Sequence, residues 1–324
     1  MTLWIVQRVL QALAVAFAMA LIVFVGLHAI GDPVQILIPP EADQAERARL
    51  IADLGLDKPF WQQFFFFLKG IFEGNLGTSY VFNEPAVDLI FSRLPATLEL
   101  AFAAVILSVV IGIPLGLVAG RYPSTFFAKS IMTGSILGFS LPTFWIGILL
   151  IMIFSVQLGW LPSSGRGETV ELFGVGWSFL TLDGLRHILL PALSLSFFNI
   201  AMVLRLTEAG VREVSASEYV KFARAKGLSP RRVMWVHILK NTLIPVVTVV
   251  GLDLGTTIAF SVVTETIFAW PGVGKVIIES ISALDRPVIV VYLMLVVMMF
   301  VIINLIVDVV YRLLDPRIRL QNDQ

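Results

Sequence analysis

The side chains able to do chemistry in this sequence are few, and their spacing excludes most chemistries. There is no cysteine, which removes disulfides, thiolate metal sites and cysteine nucleophiles. The three histidines, His28, His187 and His237, are far apart and form no HExxH or similar ligand spacing, so no metal site is expected. No GxxxxGK[ST] phosphate loop exists either: Gly272-Val273-Gly274-Lys275 lacks both the upstream glycine and the following Ser or Thr. No cofactor site and no catalytic residue is read. Two kinds of polar group remain. Glu99, Asn199, Asp253 and Asp308 stand singly in long apolar runs, and residues 215–245 form a basic, mostly polar interruption.

The spacing within that interruption is informative. Ser215-x-x-Glu218 reads as a capping box, in which the serine hydroxyl accepts the N3 amide while the glutamate reaches back to the serine amide. Lys226-Gly227 reads as the end of the same helix, because glycine takes the left-handed conformation without a Cβ clash and Arg224 and Lys226 complement the helix dipole. Ser229-Pro230 then starts a second helix, as N-cap and N1. That helix runs through Val233, Trp235 and Ile238 into a hydrophobic span, so two helices meet at Gly227. Arg231 and Arg232 fall in its first turn, where cations are disfavoured by about 0.3–1 kcal/mol each. Local helix stability did not select them. A topogenic bias toward Lys and Arg in a cytoplasmic loop explains them, and so does a docking surface for a partner.

The elements that must position these groups are set by composition. Of 324 residues, 57% are hydrophobic and 14% charged, with 24 phenylalanines, which is the balance of a membrane protein. The formal net charge of zero argues against nucleic-acid binding, which needs a basic domain. Residues 9–30 are apolar apart from Gln11 and His28 and are long enough to cross a hydrocarbon core of about 30 Å. Such a run exceeds the apolar region of a signal peptide, and it reads as an uncleaved anchor. Further spans follow at 96–120, 131–158, 188–204, 243–263 and 288–310, giving six. The loops between them are a short turn with Arg121 and Lys129, a Gly- and Trp-bearing loop over 159–186, the basic loop, and 268–287. Small residues recur at helical spacing, with Gly112, Gly116 and Gly120 in the second span, Gly134 and Gly138 in the third, and Gly251 and Gly255 in the fifth. They predict close helix approach. Pro114, Pro142 and Pro191 predict kinks.

Residues 31–94 carry nine acids against five bases, with short helices expected over 45–54 and 59–72. The run Phe64-Phe65-Phe66-Phe67 is too apolar for a solvated loop and is expected to lie on the membrane or against the spans. From 209 to 240 there are seven bases and two acids, which places that loop in the cytoplasm. With six spans both termini are then cytoplasmic and the 31–94 segment is outside. The chain thus divides into an N-terminal segment with the first span (1–30), the external segment (31–94), a five-helix core (95–312) containing the basic loop (209–240), and a tail (313–324).

At this point the residues carry a resemblance. Glu218-Tyr219-Val220-Lys221-Phe222-Ala223-Arg224-Ala225-Lys226-Gly227-Leu228-Ser229 resembles the EAA loop of ABC importer permeases, in the form of the peptide and nickel branch. Gly31-Asp32-Pro33, Leu54-Gly55-Leu56-Asp57, Gly74-Asn75-Leu76-Gly77-Thr78-Ser79, Arg93-Leu94-Pro95-Ala96-Thr97 and Thr264-Glu265-Thr266-Ile267-Phe268-Ala269-Trp270-Pro271-Gly272-Val273-Gly274 fit the same branch, so the resemblance covers nearly the whole chain. Lys221, His237 and Lys240 depart from the general EAA pattern, whereas Ala223 and Gly227 match it.

The resemblance implies an all-α, polytopic fold with six transmembrane helices, like a type I ABC importer permease. It implies a bacterial inner-membrane importer of peptides or related small solutes, working with a second permease, two cytoplasmic ATP-binding subunits and a periplasmic solute-binding protein. The helix before Gly227 would be the coupling helix, seated in a cleft of the ATPase. Its contact residues would be Glu218, Tyr219, Ala223, Arg224, Ala225, Lys226, Gly227, Ser229, Pro230, Arg231 and Arg232. The candidate pathway residues are Asp253, Glu99 and Asn199. For Asp253 three readings stay open: a hydrogen-bonded packing residue, an ion pair with Arg205 or with the partner permease, and a pathway-lining acid that favours cationic groups. The rival function is a secondary transporter without an ATPase, for which Glu99, Asp253 and Asp308 are the acids available in the spans. An intramembrane enzyme lacks any supporting motif.

Overall fold

The computed structural model describes residues 2–29, 44–45, 51–52 and 57–314. The helix expected over 45–54 lies mostly outside them, as does nearly all of the tail. The described residues divide into two compact units, one drawn from Met1–Leu94 and Lys275–Ile302, the other from Pro95–Gly274 and Ile303–Gln324.

In the first unit α1 (Thr2–Ala29) packs against α2 (Phe60–Glu73), the second of the short helices expected outside. Pro59 precedes α2, and Gly74 ends it at φ 70°, where its amide turns back to the last turn. The Phe64–Phe67 run is accounted for in part by α1: Phe24 is buried against the rings of Phe60, Phe64 and Phe67. Farther along, the buried hydroxyl of Ser79 donates to Asp285, and the Val81 amide donates to the same carboxylate oxygen. Beside them the Tyr80 phenol is pushed above its ordinary pKa, first by burial and then by the Asp285 carboxylate, with Arg286 opposing.

The second unit is organised on α6 (Leu182–Ala216), which buries Ile188, Leu195, Val203 and Val211 among others. Against it lies α3 (Ala86–Arg121) along its glycine face: a Cβ on Gly116 would sit 2.5 Å from the Leu204 carbonyl oxygen, and one on Gly120 2.8 Å from that of Glu208. Packing of this kind substitutes in lipid for the hydrophobic drive that operates in water. Gly138 likewise meets Ala201, but Gly134 faces open space, so only one of that pair makes a helix contact.

The third expected span is broken. It consists of α4 (Phe126–Ser140) and α5 (Thr143–Gln157), bent 108° apart. Pro142 has no amide to donate and pushes Leu141 into extended backbone (φ −95°, ψ 130°), so the helix stops rather than kinks. Pro114 and Pro191 stay inside their helices. The loop after α5 holds a two-stranded antiparallel hairpin, β1 (Val170–Leu172) and β2 (Val175–Trp177), the strand structure among the described residues. Next come α7 (Glu218–Ala225) and α8 (Pro230–Ile267). Residues 268–287, read as a loop, contain α9 (Val273–Ser282) before α10 (Arg286–Leu314). Helices α3, α6 and α8 and the Arg286–Val310 part of α10 are long and apolar enough to cross a bilayer, with the bent pair a candidate fifth span. The sixth rests on α1, whose described apolar stretch, Leu10–Gly26, is about 25 Å long at about 1.5 Å per residue.

Candidate functional site

The elbow between α6 and α8 is built as a cap within a cap. Ser215 does not start α7: α6 continues to Ala216, and Ser217 takes the N-cap position in extended backbone (φ −67°, ψ 150°). The Ser217 hydroxyl donates back to the Val214 carbonyl, so the capping box read from the sequence is not formed. Val211 and Val214 explain the difference, since both belong to the apolar cluster under the elbow and keep α6 helical two residues longer. At the other end the expectation holds. Gly227 has φ 78°, its amide donates to Arg224 (2.9 Å), and the Leu228 amide donates to Ala223 (3.3 Å), the paired bonds of a Schellman motif. Ser229 accepts the Arg232 amide as N-cap of α8, with Pro230 at the first helical position.

The elbow presents one face and anchors the other. Val220 and Ala223 are buried with Val211, Val233 and Ile238, so Ala223 packs against its own chain. Glu218, Tyr219, Lys221, Phe222, Arg224, Ala225, Lys226, Gly227, Ser229, Pro230, Arg231 and Arg232 are exposed. The Tyr219 hydroxyl donates to the His237 carbonyl (3.2 Å) and accepts from Asn241 (3.0 Å), which clamps α7 to α8. That carbonyl is within a π-helical stretch, Val233–Leu239, a wider winding that interrupts the α-helical bonding pattern of α8. Beside the elbow an open cleft of about 460 Å³ is lined by Arg121, Arg212 and Arg224 with Tyr122 and Met234; Arg121 and Arg212 were not singled out in the sequence as part of a site.

Of the three candidate pathway residues, the structure joins two. Asn199, buried on α6, donates to the Thr257 hydroxyl (2.9 Å); Thr257 donates to Asp253 (3.3 Å), which also accepts from Thr256 (2.7 Å). Asp253 is half-buried, and Gly251, two residues before it, lets Val307 of α10 come within what would be 2.6 Å of a Cβ. Arg205 is not its partner within this chain: its Nε donates to Ser135 (3.0 Å) and its guanidinium stacks 4.8 Å from the Phe139 ring.

Glu99 lies elsewhere and has a different task. One carboxylate oxygen accepts two bonds from Arg166 (2.9 and 2.6 Å), the other accepts the Ser178 amide and hydroxyl (2.8 Å each) and the Phe179 amide (2.7 Å). Every bond ties the 159–186 loop to α3. A second buried acid, Glu265, was not picked out as a functional group in the sequence. It accepts from Thr97 (2.7 Å), Ser261 (3.0 Å) and the Gly274 amide (2.7 Å), and a Cβ on Gly272 would collide with it. The Trp270 indole donates to the Ala96 carbonyl (2.8 Å). The Arg93–Thr97 and Thr264–Gly274 motifs therefore meet in one buried polar knot. The signal in the sequence was a glutamate closing an apolar run just before Gly272 and Gly274.

Residues 112–320 match the family described as "Binding-protein-dependent transport system inner membrane component", and residues 1–101 match the N-terminal region of such membrane components. The chain is 39% identical to the di/tripeptide transport system permease protein DppB of Pseudomonas aeruginosa, over 98% of this chain and 99% of that one. It is 36% identical to the dipeptide transport system permease protein DppB of Escherichia coli K12, over 98% of both. A structure titled as an inward facing conformation of the MetNI methionine ABC transporter shares the fold, with a TM-score of 0.56 at 18% identity over 72% of this chain and 99% of that chain.

Proposed function

Because the chain belongs to the family of binding-protein-dependent transport system inner membrane components, we propose that it forms half of the pathway through which an ATP-driven importer brings di- or oligopeptides, or closely related solutes, across the bacterial inner membrane. The observation that carries the substrate class is full-length identity of 39% to a permease named for di- and tripeptides. A second permease, two ATP-binding subunits and an external solute-binding protein complete the assembly. The elbow supports this reading: a short helix anchored by Val220 and Ala223 and clamped by Tyr219 presents a braced, half-charged face to an ATPase cleft. Motion delivered there reaches the Asp253 relay along the single helix α8, whose π-helical stretch supplies the adjustable length. The test is reconstitution with the companion subunits in proteoliposomes. Uptake should require ATP inside the accepting compartment and the binding protein outside; uptake driven by an ion gradient without an ATPase would favour a secondary transporter.

The topology follows from the basic loop. Reporters fused after Glu73 or Thr169 should read outside, and those after Ser217 or Gln324 inside; an inside reading after Glu73 overturns the six-span arrangement.

Tyr219→Phe removes one hydroxyl from an exposed clamp, a loss of about 0.5–1.5 kcal/mol at most. Thermal stability should hardly change, while more ATP is hydrolysed per solute carried. An unchanged ratio means that the clamp does not transmit motion.

Asp253→Asn removes the charge at nearly constant size and keeps one acceptor oxygen, enough for the bond from Thr256 or from Thr257 but not both, because these go to different carboxylate oxygens. Uptake should fall most for peptides with extra positive charge, measured as competition between lysyl and neutral dipeptides. An equal fall for both, together with poorer assembly, assigns Asp253 to packing.

A further inference from the structure

The amphipathic helix α2 has an apolar face wider than its contact with α1. At about 100° per residue, Phe60, Phe64 and Phe67 share one side, and all three rings meet Phe24 at 5.0–5.5 Å. The adjoining stripe holds Trp61, Phe65 and Phe72, which fall within about 40° of one another and are 60%, 64% and 88% exposed. The side turned away from α1, next to this stripe, carries Gln62, Lys69 and Glu73, the last two paired with each other. Lys58, just before the helix, sits 4.2 Å over the Phe66 ring. A stripe of three large aromatic residues on a fourteen-residue helix is not a water-facing surface.

The depth of the crossing decides what covers it. The apolar stretch of α1, Leu10–Gly26, has its middle at Ala18, and Phe24 lies six residues beyond, about 9 Å along the axis. With a hydrocarbon half-thickness of about 15 Å, Phe24 is about 6 Å beneath the edge. That is the level at which interfacial amphipathic helices rest, about 5–10 Å into the headgroup and acyl boundary. Leu21, Ile22 and Val25, within one turn of Phe24 along α1, are exposed apolar residues as well.

We propose that α2 is an interfacial anchor whose Trp61, Phe65 and Phe72 stripe is buried in the lipid of the outer leaflet, with Gln62, Lys69 and Glu73 turned to water. It rests on the reading that α1 spans the bilayer with the 31–94 segment outside. The anchor fixes the height of the external segment, and with it the Ser79 clasp, relative to the membrane.

The absence of cysteine makes the test direct, since single cysteines can be placed in the otherwise unaltered chain. Phe65→Cys, Phe72→Cys, Gln62→Cys and, on α1, Leu13→Cys are labelled with a nitroxide in the assembled importer. The vesicles contain phosphatidylethanolamine and phosphatidylglycerol. The ratio of collision with oxygen to collision with an aqueous nickel chelate should be several-fold higher at Phe65→Cys and Phe72→Cys than at Gln62→Cys. Chelate contact at all three α2 positions overturns the proposal, and so does shielding from both probes, which would mean a protein partner on the stripe. Chelate contact at Leu13→Cys removes instead the spanning reading of α1 on which the anchor rests. A second measurement avoids the label: brominated lipid should quench the native protein's fluorescence by a larger fraction than that of Trp61→Phe. Equal quenching of the two counts against the anchor.

Discussion

Glu99→Ala should unfasten the 159–186 loop and destabilise the permease by about 3–5 kcal/mol, the range for breaking one side of a buried ion pair. The Glu99 side chain is 1% exposed and that of Arg166 16%, so water compensates the arginine left behind only in small part. Its remaining partners are the Gly176 carbonyl at 2.7 Å and the Trp270 ring, 5.9 Å from the guanidinium. The Ser178 amide and hydroxyl and the Phe179 amide lose their acceptor at the same time. Each buried orphan costs about 1–3 kcal/mol, though these losses overlap and do not add. The measurement is thermal unfolding in nanodiscs together with limited proteolysis, and new cleavage should appear between Gly159 and Thr181. Arg166→Met on top of Glu99→Ala should restore part of the stability, because the uncompensated charge is gone while the stem still packs. If Glu99→Ala abolishes uptake but leaves unfolding temperature and cleavage unchanged, Glu99 returns to the pathway.

That residue also shows where the sequence stops being legible. An acid in an apolar run announces that it faces protein or water, and Glu99 and Asp253 are alike in that respect. The acid that pairs, 67 residues before its arginine, differs from the acid that stays partly open only through long-range contact. Local signals fared better where lipid or backbone geometry admits one answer. Helix in apolar runs is forced by the need to satisfy every peptide group, and the conformation of Gly227 is forced by the Schellman geometry. The capping box failed because Ser215 sits above a packed cluster, where Val211 and Val214 outweigh a local hydroxyl preference of about 1 kcal/mol. In sequence Pro142 predicts only a kink, because a proline inside a helix is tolerated when neighbours satisfy the freed carbonyls, and whether they do is decided by packing. Helix α9 was hidden by its length: ten amphipathic residues between spans look like a loop on a hydropathy scale.

Gly227→Val should abolish transport while leaving insertion and yield near normal. A Cβ at this position meets nothing within 4 Å, so there is no clash to unfold the bundle. The whole penalty is conformational: at φ 78° a residue with a Cβ is strained by about 1–2 kcal/mol, and a β-branched one is a genuine outlier there. The strain falls on a helix of eight residues that is too short to hold itself together without tertiary contacts. Its relief is to open the Gly227 to Arg224 and Leu228 to Ala223 bonds, which turns Ala223 out of the cluster and shifts the face carrying Tyr219, Arg224 and Lys226. Backbone cost and steric cost can be separated by a graded series. Gly227→Asn, which tolerates the left-handed region, should keep most uptake, Gly227→Ala less, and Gly227→Val none, with ATPase co-purification and ATP-dependent uptake measured on the same preparations. A series in which all three variants transport like the native protein would show that the elbow needs no left-handed residue, and a uniform loss of expression would place Gly227 in folding rather than coupling.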